Sequence, residues 1–177
     1  MSEKLSLKAP KAPPPGRVSP RYIVDVRLKS DFSDAEGAAA LALLHGLGLN
    51  TARDCRVSQL YELRGPLNQG HIHTAARELL CDQVTQEFRL ASAAPPPSNG
   101  MNRWRVEVWL KDSVTDTVGE SVSQALRDLG LPPLESVRRG KAYLIGGKCN
   151  RTQLENTAAR CLANPVVHRL TVSEEHP

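Results

Sequence analysis

The side chains in this 177-residue chain with a type and spacing suited to chemistry are four cysteines, five histidines and one dense run of basic residues. A metal site or a redox pair would bring cysteines close in sequence, but Cys55, Cys81, Cys149 and Cys161 stand far apart and none belongs to a CxxC. They read as reduced, buried thiols. His71-Ile72-His73 has the outline of a ligand pair, and Gly146-Gly147-Lys148 of a phosphate turn, although the latter lacks the spacing and the Ser/Thr of a phosphate loop. Arg138-Arg139-Gly140-Lys141 is the densest basic cluster outside the first twenty residues. It suits a phosphate or RNA contact, a docking edge for a protein partner, or a solvated bend. No Ser-His-Asp or Cys-His set and no pair of catalytic carboxylates emerges from the remaining residues.

The elements that would position these groups come from an internal repeat. Residues 22–90 align without a gap on residues 104–172 at an offset of 82, with 17 identities in 69 pairs. Chance at this composition would give roughly four or five. The repeat also tests the candidate ligands. Each cysteine falls on an apolar residue of the other copy (Val137, Ala163, Leu67 and Leu79 in turn), and His71 and His73 fall on Gln153 and Glu155. Such positions are structural rather than chemical.

Each copy reads β-α-β-α-β. Val106, Val108 and Leu110 alternate with polar or aromatic neighbours, the period of a half-buried strand. After Thr115 and Asp116, candidate caps, Val118, Val122, Ala125, Leu126 and Leu129 form a helical stripe that Gly130 ends. The first copy repeats it with Asp34, then Ala40, Leu43, Leu44 and Leu47 before Gly48. Residues 135–145 form an extended stretch containing Gly140, either one bent strand or a hairpin. A second helix follows Thr152 with Leu154, Ala158, Cys161 and Leu162 on one face, matched by Ile72, Ala76, Leu79 and Leu80, and Asn164-Pro165 ends it. A last strand alternates Val166, His168, Leu170 and Val172. The expected fold class is α+β, with helices packed on an antiparallel sheet. One copy of about 70 residues is marginal alone, so the two should form a pseudo-symmetric intramolecular dimer.

The organisation is then a Pro/Lys-rich tail (1–20), copy one (21–92), a Pro-rich linker (93–102), copy two (103–173) and a short C-terminal tail (174–177). The formal charge of +4 lies mostly in the tail, where Lys4, Lys8, Lys11 and Arg17 oppose Glu3. The copies themselves are near neutral, which argues against nucleic acid as a partner. No apolar run is long enough to span a membrane and no signal peptide opens the chain, so a cytoplasmic location is expected.

The second copy carries three blocks that together resemble one family: Val108-Trp109-Leu110-Lys111-Asp112-Ser113-Val114-Thr115-Asp116-Thr117-Val118-Gly119, then Val137-Arg138-Arg139-Gly140-Lys141, then Leu162-Ala163-Asn164-Pro165-Val166. They resemble PurS, the small subunit of phosphoribosylformylglycinamidine (FGAM) synthase. The first copy departs from the pattern, with Arg56-Val57-Ser58-Gln59 in place of the Gly-Lys and Asp82-Gln83 in place of Asn-Pro. The resemblance implies a non-catalytic subunit whose dimer bridges the ATP-dependent synthetase PurL and the glutaminase PurQ. It implies no cofactor bound by this subunit; ATP, Mg and glutamine are used by the assembled complex. On this reading Arg138, Arg139, Gly140, Lys141, Asn164 and Pro165 form the partner-docking edge. The alternative is a ferredoxin-like or ACT-like module that binds a small regulatory ligand.

Overall fold

Residues 19–90 and 103–175 are described by a computed structural model of the chain. The first copy comprises β1 (Arg21–Leu28), α1 (Ala35–Gly46), β2 (Ala52–Arg64), α2 (Gln69–Ala75), a π turn (Ala76–Leu80) and β3 (Gln86–Leu90). The second comprises β4 (Arg103–Leu110), α3 (Thr117–Asp128), β5 (Ser136–Gly147), α4 (Arg151–Cys161) and β6 (His168–Glu175). Strand β6 thus continues two residues past the boundary read from the sequence. Of the expected tail, only Ser19 and Pro20 lie within the described residues, and the expected linker lies outside them.

All six strands form one antiparallel sheet in the order β3-β1-β2-β5-β4-β6. Strands β2 and β5 join the copies, pairing continuously from Cys55 opposite Ile145 to Arg64 opposite Ser136. Gln59 lies opposite Lys141, and these two residues are related by the same offset of 82. The pseudo-two-fold axis therefore passes through that pair. The stretch that read as a bent strand or a hairpin is one uninterrupted strand, because it has a ladder on both sides, to β2 and to β4. The irregularity in register falls between Ala52 and Asp54 instead, away from Gly140. Gly140 answers a close approach: a Cβ there would stand 2.6 Å from the Trp109 ring.

Each hydrophobic core draws one helix from each copy. Ala40 and Leu44 of α1 meet Leu154 and Ala158 of α4 over Val57, Val106, Tyr143 and Ile145. Ile72 and Ala75 of α2 meet Leu126 of α3 over Val24, Val26, Leu63 and Val137. Fully burying each leucine or isoleucine contributes about 1.5–3 kcal/mol, and neither copy retains a closed core without the other. The opposite face of the sheet carries a smaller cluster in which Trp109, 3% exposed, packs with Leu60 of the first copy and Ala142. Arg105 of β4 also reaches Asp25 of β1 at 2.9 Å, an ion pair between the copies with both side chains mostly buried.

Most identities between the copies hold this fold together. Asp34 Oδ1 caps α1 by accepting from the Gly37 N–H at 2.7 Å, while its Oδ2 accepts from the Val57 N–H of β2 at 2.7 Å. Asp116 does the same for α3 with Gly119 and Arg139, at 2.8 and 2.6 Å. Gly37 and Gly119 permit that clamp, since a Cβ would lie 2.3–2.4 Å from the Cys55 and Val137 carbonyl oxygens. Gly48 and Gly130 end the helices at φ of 90° and 81°. Asn68 and Asn150 cap α2 and α4, so the cap of the latter is Asn150 rather than Thr152.

The expected helix faces are only partly buried. Leu43, Leu47, Val118 and Leu129 are exposed because the glycine clamps set α1 and α3 down along a narrow line through Ala40, Leu44 and Leu126. Leu79 is turned outward where the π turn replaces the α-helical register seen in α4.

Candidate functional site

The basic run Arg138-Arg139-Gly140-Lys141 lies on β5, where strand alternation divides it between the two faces of the sheet. Tyr143 and Ile145 point into the helix layer, and so therefore do Arg139 and Lys141. Arg138 points to the opposite face, where its guanidinium donates to the Leu110 carbonyl and pairs with Asp112. Its counterpart Arg56 donates to the Leu28 and Lys29 carbonyls at 3.1 and 3.3 Å. The shared arginine thus ties down the loop after the first strand of each copy.

Arg139 and Lys141 lie beside the pseudo-two-fold axis. The Arg139 guanidinium donates to Gln59 Oε1 at 2.8 Å, and the Lys141 ammonium pairs with Glu36 at the start of α1. Asn164 and Pro165 form the corner between α4 and β6. Asn164 Oδ1 accepts from the Val166 N–H at 3.0 Å, and Lys111 donates to the Pro165 carbonyl. In the first copy Asp82 accepts from the Val84 N–H at 2.9 Å, and Lys29 donates to the Gln83 carbonyl at 2.6 Å. Asp82-Gln83 therefore keeps the turn that Asn164-Pro165 makes.

Sequence reasoning placed His168 on the last strand and gave it no chemical role. The Asn164 N–H donates to His168 Nδ1 at 3.0 Å, and the ring sits with Arg139 and Lys141 around a cleft of about 330 Å³. Val108, Leu110, Val118 and Leu162 form the apolar wall of this cleft. The one available signal was the alignment of the copies, which places Gln86 opposite His168.

The remaining chemical candidates have structural roles. Burial, reinforced by Asp34, Asp54 and Glu36, pushes the Cys55 thiol up to about 12, and burial also raises Cys81, Cys149 and Cys161. All four are free thiols held in the protonated, unreactive form. His71 completes a capping box with Asn68, and His73 stands edge-on to Phe88. Gly147 turns the chain at φ 139°, where a Cβ would meet the Thr51 carbonyl. Among the described residues no group of three or more His, Cys, Asp and Glu is placed to hold a metal ion.

The model of the PurS family, described as phosphoribosylformylglycinamidine (FGAM) synthase, matches twice in tandem, over residues 21–93 and 103–176. The chain belongs to the PurS family. Two PurS units in one chain agree with the offset of 82 and with the paired β2 and β5. No curated protein matches the chain. No helix among the described residues is long and apolar enough to cross a membrane. Val84 and Val166, an identity between the copies at the tips of the equivalent corners, are 74% and 76% exposed.

Proposed function

We propose that this chain is a non-catalytic structural subunit of FGAM synthase in purine biosynthesis, a covalently fused PurS dimer that bridges the PurL synthetase and the PurQ glutaminase in the cytoplasm. The observation that carries the reading is that both halves match PurS and pair with each other through β2 and β5. A scaffold with two related docking edges would have this form. Fusion replaces a bimolecular dimerisation by an intramolecular one, so the paired form persists at any concentration. ATP, magnesium and glutamine belong on this reading to the partner subunits.

The exposed Val84 and Val166 support docking at the corners, since an apolar tip repeated in both copies and uncovered in this chain suits burial against a partner. Asn164, Pro165 and Lys111 hold the tip of the second copy, and Arg139 and Lys141 extend that edge toward the axis. Arg138 contributes by fixing the adjoining loop.

Size-exclusion chromatography of the chain with PurL and PurQ from the same source, with glutamine and Mg-ADP present, tests the assignment. A ternary peak containing all three is expected. Separate elution of this chain from both partners would defeat it.

A further inference from the structure

We propose that the cleft between the start of α3 and the end of α4 binds a small anion, a carboxylate or phosphate monoester carrying a short apolar group. The inference concerns this chain alone and goes beyond its role as a subunit. Three donors converge there. Arg139 uses part of its guanidinium fork on Gln59, and Lys141 uses part of its ammonium on Glu36, leaving further N–H groups on both. His168 accepts from the Asn164 N–H through Nδ1, which places the proton of the neutral ring on Nε2 as a donor. Val108, Leu110 and Leu162 offer an apolar wall beside these donors, in a volume of about 330 Å³ suited to a small molecule.

The comparison of the two copies carries the argument further. Shared residues mostly cap helices, end them or tie loops, but at the cleft the copies differ in one consistent direction. Arg139, Lys141 and His168 stand where the first copy has Val57, Gln59 and Gln86, and Val118 replaces the carboxylate of Glu36. The second copy has gained two cations and an imidazole, and among the described residues the one acid facing them from the first copy is Glu36, paired with Lys141. Neither cation is needed at its position by the fold, since the first copy forms the same strand with valine and glutamine. Asp116 also lines the cleft, but both its oxygens are occupied by the Gly119 and Arg139 backbone N–H groups.

Isothermal titration calorimetry of the full chain with inorganic phosphate and with butyrate, against neutral butyramide as control, tests the proposal. Saturable binding of at least one anion is expected; whichever binds defines the headgroup. Arg139→Val, Lys141→Gln and His168→Gln install the first copy's residues, and Arg139→Val should weaken that binding about tenfold or more. If Arg139→Val does not fold, His168→Gln and the shift of the His168 ring signals on titration give the same reading. Absence of saturable binding with both anions would overturn the proposal, as would binding unaffected by all three substitutions.

Discussion

At the residue scale, the duplicated aspartates illustrate what an internal repeat reveals. Asp34 and Asp116 read as helix caps, and they are; their second contact, to a strand N–H 23 residues away, is a tertiary bond that local spacing does not signal. Asp116→Ala should therefore cost more than an ordinary cap, about 2–4 kcal/mol, measured by urea unfolding, and a loss within the error of the measurement would contradict the double role. Gly140 lay in a stretch that read as a bent strand or a hairpin, and the structure gives it instead a close approach to the Trp109 ring. Gly140→Val should destabilise by about 1–3 kcal/mol, and pairing it with Trp109→Leu should recover part of the loss. Strict additivity of the two changes would sever that link. Burial raises Cys55 from 9.0 and Tyr143 from 10.0, both to about 12. The unfolded chain thus loses these protons at lower pH than the folded one. Stability from this source is intact below about pH 9 and declines as the pH rises toward 12. A melting temperature flat across that range would count against it.

At the scale of elements, the order β-α-β-α-β was legible in both copies because alternation and helical stripes are local signals. The pairing of β2 with β5 was not, because no residue within one copy declares its partner in the other. The helix faces were legible in part: the periodicity marked Ala40, Leu44 and Leu126 correctly, but it also marked Leu43, Leu47 and Leu129, which the clamps at Gly37 and Gly119 leave exposed. The candidate docking run was found as a string of basic residues and is, on a strand, two separate surfaces. The role of His168 escaped because its chemistry depends on a corner formed by Asn164. The tie between β1 and β4 gives an element-scale prediction. Burial works against the charge of Arg105, but Asp25 and Glu107 outweigh it and hold the guanidinium more firmly protonated than usual. Arg105→Ala leaves Asp25 uncompensated and should cost about 3–5 kcal/mol in thermal or chemical unfolding.

At the scale of the whole molecule, the two copies form one folding unit, because each core takes one helix from either copy. Separate expression of residues 1–92 and 93–177 should yield chains that are unfolded alone and regain cooperative melting when mixed. The central claim is that this fused pair serves FGAM synthase as its PurS component. Val166→Asp should weaken assembly with the partners and leave the melting temperature of the isolated chain nearly unchanged, since that side chain is 76% exposed. The most direct measurement titrates this chain into purified PurL and PurQ while following glutamine-dependent FGAM formation, with ammonia as the alternative nitrogen source. The account predicts that glutamine-dependent activity requires the chain and saturates near one chain for each PurL, because the dimer is already built in. Full glutamine-dependent activity in its absence would contradict it.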